Sequence, residues 1–359
     1  MQNETISAIQ TGKPLRYLKD QPGVGPDEDA KTTKLLPIAE TIQNYSIRKR
    51  SCTVGTILAD RYEILKTLGE GGMGHVFQAH DRLTAKLCAI KVMSANLSGS
   101  ETDLLRFKRE ANVSIELKHR NIVDVFDKGC TEDHKPFIVM EYLQGKSLAD
   151  ILLEKERLNI NEFAAIFKQI CEGLSYSHAN QVVHRDIKPS NIMIVNVNGK
   201  QTAKIVDFGI ARRCKTTGEV CPTTLKSILD SCNSETAIQL AAHDERLQRL
   251  TQPGEVFGSP LYMSPEQCRG EEADCRSEVY ALGCMMFEAL TGMPPLKGGS
   301  ALQTMLRRVN DEAPSLNSVV PGLTFPQELE EIVARSLKRD PNQRFHSVDE
   351  LLAALLFAF

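Results

Sequence analysis

The chain has 359 residues, 42% of them hydrophobic and 25% charged, enough apolar side chain for a sizeable core in about two domains or one large bilobal unit. That composition excludes a wholly disordered chain, a collagen-like repeat and a small disulfide-stapled scaffold. A net charge of −3 gives no global field to draw in nucleic acid or an anionic membrane, and no run approaches the ~18 apolar residues of a membrane span.

Residues 1–10 have neither the basic stretch nor the apolar core of a secretory signal, so a cytoplasmic protein is expected. Residues 1–55 are rich in Thr, Pro, Gly and charge and show no long periodicity; they are expected to form a flexible tail, with order beginning near Arg61. Short apolar or β-branched runs at 62–68, 76–79 and 87–93, separated by Gly or polar turns, read as antiparallel strands. In 101–117, Leu104, Leu105, Phe107, Ala111 and Ile115 fall on one helical face, a helix suited to pack on that sheet. Strands at 122–126 and 137–141 complete a small β-rich lobe. Past Ser147 the pattern is mostly helical, at 148–156, 161–178, 277–290, 301–309 and 327–335. The last helix opens on Ser347-Val-Asp-Glu350, a capping box in which each side chain satisfies the other residue's backbone N–H. Ten cysteines without one Cys-x-x-Cys pair indicate reduced thiols, and only Cys214, Cys221 and Cys232 with His243 could gather round a metal or act as a redox cluster.

Four strings carry chemistry. Gly69-Glu-Gly71-Gly72-Met-Gly74 lies between two strands, where glycines let backbone N–H groups approach phosphates. Alone it is weak, since the same spacing marks dinucleotide-binding folds, but those need a helix next and 76–79 reads as strand. Ala89-Ile-Lys91-Val places a lysine in an apolar strand, and Glu110 in the following helix is its natural partner, holding it toward the α- and β-phosphates of a nucleotide. His184-Arg-Asp186-Ile-Lys188-Pro-Ser-Asn191 sets a carboxylate, an ammonium and a carboxamide on a proline-containing loop. That spacing supplies a base for a hydroxyl, a cation for a phosphoryl group and an oxygen ligand for Mg2+. Val206-Asp207-Phe208-Gly209 adds a second carboxylate at a strand end, as expected of a metal ligand.

These strings, in this order, resemble the protein kinase superfamily, and within it the bacterial eukaryotic-like serine/threonine kinases, over about 62–358. The resemblance implies an α+β bilobal fold, with a small antiparallel β-rich N-lobe (about 62–143) bearing one key helix and a larger helical C-lobe (about 144–359). The domain as a whole would run 56–359, with an extended activation segment at 207–266. It further implies that Gly69, Gly71, Gly72 and Gly74 cover the ATP phosphates, that Lys91 pairs with Glu110, and that Asp186 deprotonates the acceptor. Lys188 would contact the γ-phosphate, with Asn191 and Asp207 on Mg2+, for which Mn2+ could substitute. Leu68, Val76, Ala89 and Met193 would sandwich adenine, with Met140 as gatekeeper and Glu141 to Leu143 as hinge. Ser264-Pro-Glu266 resembles the family's Ala-Pro-Glu, with Arg344 as partner of Glu266.

Lys188 and the Ser259 hydroxyl favour Ser/Thr acceptors in protein substrates, and a transient dimer would serve trans-autophosphorylation. Arg185 is the expected grip for a phosphorylated activation-segment residue, best placed at Thr251. Two features depart from the family pattern. Glu278 replaces the aspartate that anchors the catalytic loop, one methylene longer, so some strain is expected there. The segment 207–266 far exceeds the ~12–15 residues of ordinary structureless loops and holds two helix candidates, around 225–229 and 234–250. An inactive nucleotide-binding scaffold and a small-molecule kinase are the alternatives; the first would lack Lys91, Asp186, Asn191 or Asp207, and all four are present.

Overall fold

Six strands form the first sheet of the structure, a computed structural model that describes residues 52–71, 74–93, 114–208 and 260–359. Glu110, Gly72, Thr251, Ser259, the cluster of Cys214, Cys221, Cys232 and His243, residues 101–113 of the first expected helix and both candidate helices of the long segment lie outside the described residues.

The sheet runs in the order β1 (Ile57–Leu58), β2 (Tyr62–Gly71), β3 (Gly74–Asp81), β4 (Lys86–Met93), β6 (Pro136–Glu141), β5 (Val125–Cys130), with every pair antiparallel. Order begins earlier than Arg61: Gly55 N–H donates to Ile64 O at 2.8 Å and Leu58 is buried. A two-residue strand is too short to show alternation, so the sequence gives no signal for it. The strand expected at 122–126 starts instead at Val125, and Ile122 makes a lone parallel bridge to Ile205 in the other lobe.

Gly74 closes the glycine hairpin opposite Gly71 with φ +137°, and a Cβ there would stand 2.1 Å from the Val92 carbonyl oxygen. Gly69 and Gly71 differ: a Cβ on either would meet nothing within 4 Å, so packing does not require glycine at either position. Gly74→Ala should therefore cost roughly 1–3 kcal/mol of stability, since both the backbone angle and the clash oppose a side chain. A urea melt matching wild type would refute this steric reading.

The second lobe begins with a small antiparallel sheet, β7 (Gly145–Ser147), β8 (Ile192–Val197) and β9 (Lys200–Ile205); of these only the strand end before Asp207, that of β9, is anticipated in the sequence. Its turn, Asn198-Gly199, has both residues at positive φ, the geometry that Asn-Gly hairpins favour. The helices of this lobe among the described residues are α1 (Leu148–Lys155), α2 (Ile160–Ala179), α3 (Pro265–Cys268), α4 (Cys275–Thr291), α5 (Ala301–Asn310), α6 (Leu316–Val319), α7 (Gln327–Ser336) and α8 (Val348–Ala358). Helix α4 is buried nearly all round, from Val279 to Leu290 apart from Glu288, which makes it the axis on which the others pack. The last capping box forms only in part. Ser347 Oγ accepts from Glu350 N–H, but the Glu350 carboxylate turns to His346 N–H and Arg335.

Candidate active site

The loop after α2 is held from beneath. Buried His184 donates through Nε2 to Val206 O at 2.9 Å, its Nδ1 takes Asp186 N–H at 3.3 Å, and the Phe208 ring lies 4.8 Å away. Glu278 on α4 supplies the second anchor: Oε1 accepts Arg185 N–H at 2.6 Å and Oε2 faces His178 Nε2 at 2.6 Å. The longer side chain thus still reaches the loop backbone. Arg185 itself is left-handed at φ +68°, a costly conformation for a residue with a side chain.

On this frame the three polar groups converge. Lys188 Nζ lies 2.9 Å from Asp186 Oδ2, and the Asn191 amide nitrogen donates to Asp186 O at 2.8 Å. Pro189 opens the short 3-10 turn Pro189–Asn191 that swings Asn191 back under the loop. With its nitrogen committed, Asn191 has its side-chain oxygen left to accept or to ligate. Together with the Asp207 carboxylate this makes a donor set of hard oxygens, the chemistry that suits Mg2+ or Mn2+.

Lys91 reaches this group from the other lobe. It sits on β4 in register with Val76 and Ile138, and its Nζ is 2.9 Å from Asp207 Oδ2. Asp207 itself is left-handed, φ +64°. Burial alone would push its carboxyl up, yet the Lys91 ammonium, with lesser help from His184 and Lys188, holds it below the usual aspartate range. Lys91→Met should leave this carboxylate without that partner and abolish most phosphoryl transfer. Asp207 is about a third exposed, so the stability loss should stay below the ~3–5 kcal/mol of a fully buried pair. A transfer assay read beside a thermal melt checks both halves; wild-type transfer in a folded variant contradicts the role.

The residues assigned to the adenine wall divide between core and its border. Ala89 and Met140 pack in one buried cluster with Val123, Val125 and Ile138, and Leu143 and Val206 rest against it. Leu68 is 41% exposed, and Val76 and Met193 are half-buried, so these three border open space rather than core. The Glu141 carboxylate is turned into the lobe junction, accepting Lys204 Nζ at 2.5 Å and Asp124 N–H at 2.8 Å. Lys204 is absent from the sequence-derived site, although Ala203-Lys-Ile-Val carries the same signal as Lys91, a lysine inside an apolar strand.

Beyond the loop, Arg344 and Glu266 form a buried two-pronged ion pair, both N–O distances 2.8 Å, as expected. Tyr262, Met263 and Gln267 share an open cleft with Arg185 and Asp186, and Gln267 Nε2 donates to Arg185 O at 3.3 Å.

The sequence model described as "Protein kinase domain" matches residues 62–357. The chain belongs to the protein kinase family. It is 35% identical over 307 residues to the serine/threonine-protein kinase PknB of Mycobacterium tuberculosis, covering 85% of this chain and 44% of that protein. The probable PknB of Lactococcus lactis is 35% identical over 300 residues, 83% of this chain and 42% of the relative. This kinase domain therefore spans less than half the length of these curated relatives. Among solved structures, the PknI kinase domain of M. tuberculosis superposes with a TM-score of 0.62 at 23% identity, over 86% of this chain and 100% of that one, a likeness of fold. Among the described residues no helix is long and apolar enough to cross a membrane.

Proposed function

We propose that this kinase domain transfers the γ-phosphoryl group of ATP to serine and threonine hydroxyls of proteins. The observation that carries the reading is the convergence of Asp186, Lys188 and Asn191 on one loop with the Lys91–Asp207 pair that bridges the lobes. The acceptor oxygen attacks the γ-phosphorus while the bond to the β-phosphate bridging oxygen of the leaving ADP breaks, and the hydroxyl proton passes to the Asp186 carboxylate. Lys188, already beside that carboxylate, meets the charge on the transferring group, and Lys91 orients the phosphates remaining on ADP. A magnesium ion held by Asn191 and Asp207 would neutralise phosphate charge. The backbone between Gly69 and Gly74 closes over the phosphates, and the unfilled space at Gly69 and Gly71 supports that role. Lys188 and the Ser/Thr kinase names of the relatives support hydroxyl acceptors of the aliphatic kind.

Radiolabel transfer from ATP to a basic protein such as myelin basic protein, followed by phosphoamino-acid analysis, tests this. Phosphoserine and phosphothreonine are expected. Label found only on tyrosine, or none on protein, would overturn it.

A further inference from the structure

Arg308, in the last turn of α5, is fully buried, and none of its hydrogen-bond partners among the described residues is charged, although the Glu288 carboxylate lies near enough to feel its charge. Its Nε donates to Pro260 O at 2.9 Å and its Nη2 to Leu261 O, while Nη1 faces Cys284 Sγ at 2.9 Å and Tyr280 Oη at 3.3 Å. Taking a guanidinium out of water without a directly bonded counter-charge is costly, and good hydrogen bonds to the available acceptors are what sustain it. Two of those acceptors are consecutive backbone carbonyls, which a planar fork grips together and a lysine ammonium cannot match.

The gripped carbonyls lead directly into the wall beside the candidate base. Tyr262 and Met263 line the same cleft as Asp186. Each remaining residue of that stretch is also tied from within: Tyr262 Oη donates to Glu288 at 2.5 Å, Met263 packs on Cys268, Met305 and Val309, and Ser264 caps α3. Pro260, Leu261, Tyr262 and Met263 are themselves only half-buried, and of these Tyr262 and Met263 line the cleft. Helix α5 also packs its Met305 and Val309 face on this region, which places Arg308 where it sets backbone orientation rather than touching the reacting atoms.

We infer that Arg308 is a positioning residue for the protein acceptor, fixing the 260–263 backbone so that the acceptor hydroxyl is delivered to Asp186; this rests on the kinase reading above. Losing two hydrogen bonds from a charged donor predicts a rise of about tenfold or more in the KM for myelin basic protein in Arg308→Met, and a smaller rise in Arg308→Lys. The KM for ATP and the slow hydrolysis of ATP without acceptor should change by less than about twofold, because the hydrogen-bond partners of Arg308 among the described residues, Pro260, Leu261, Tyr280 and Cys284, are none of those assigned to the nucleotide. Hydrogen exchange gives a readout independent of turnover: amides 261–263 should exchange faster in both variants while those of α2 and β4 stay as in wild type. Tyr280→Phe removes one partner on the inner side only and should leave the acceptor KM unchanged.

Folded Arg308 variants with wild-type acceptor KM, or with unchanged exchange at 261–263, overturn the inference. So does an equal loss of acceptor transfer, ATP hydrolysis and exchange protection throughout the domain, which marks general destabilisation. A wild-type chain that binds ATP yet labels no protein overturns the kinase reading, and this inference with it.

Discussion

Arg344→Leu should cost this fold about 3–5 kcal/mol, more than any other single change considered for stability. Arg344 is fully buried and its guanidinium meets Glu266 twice at 2.8 Å, while also donating to the carbonyls of Lys338, Arg276 and Arg339. Ser277 Oγ donates to the same carboxylate at 2.6 Å. Leucine fills much of the volume but leaves the Glu266 carboxylate buried without its cation. The pH dependence follows from the same pair. Burial would raise the Glu266 carboxyl, but Arg344 brings it below its ordinary value of 4.5. In wild type the pair's contribution is therefore fully present above that ordinary value, and is lost as pH falls through the lowered one. In the variant the unpaired carboxyl shifts upward instead, so protonation relieves it at a higher pH. The gap between the two melting curves should accordingly be widest near neutrality and narrow on acidification. A gap below about 1 kcal/mol at pH 7 would mean that the pair is not what holds α3 to the helices behind it.

The parts of this molecule legible in the sequence are those that one segment encodes by itself. Helices α1, α2, α4, α5 and α7 fall within a few residues of their periodicity, because spacing reports directly on which side is buried. Within the loop, Asp186, Lys188 and Asn191 are brought together by a proline-opened turn that their own string encodes, whereas the Lys91–Asp207 pair joins two distant strings. What was illegible is pairing across distance. Nothing near His178 announces that it meets Glu278, and nothing in 301–309 shows that Arg308 turns inward to grip the backbone at 260 and 261. Helical spacing would put Arg308 beside Met305 and Val309, but a charge on an apolar face reads as an error of periodicity until its acceptors are seen. The β7–β9 sheet is legible only in part: the strand end before Asp207 marks β9, and Asn198-Gly199 is a strong hairpin signal, but the three-residue β7 gives none and its pairing with β8 is again a contact across distance.

Asp186→Asn should lower phosphoryl transfer by about 10²–10⁴-fold, the span typical of removing a general base. The amide is nearly the same size and can still accept from Lys188 through its oxygen, so the loop should keep its shape. Its anchors do not involve the Asp186 side chain: Arg185 N–H rests on Glu278, His184 on Val206 O, and Asn191 on the Asp186 backbone carbonyl. What the amide lacks is the capacity to take a proton from the incoming hydroxyl. Nucleotide affinity should hardly move, because Lys91, Asp207 and the apolar cluster of Ala89 and Met140 are untouched. Asp207→Asn gives the contrasting pattern, weaker nucleotide binding in magnesium together with lost turnover, since that change also removes the partner of Lys91. Titrating a fluorescent ATP analogue beside a single-turnover transfer assay separates the two variants. Near wild-type transfer by Asp186→Asn would move the base elsewhere in the cleft. Loss of binding equal to the loss of transfer would instead show that Asp186 acts by holding the nucleotide, and that proton removal belongs to another group.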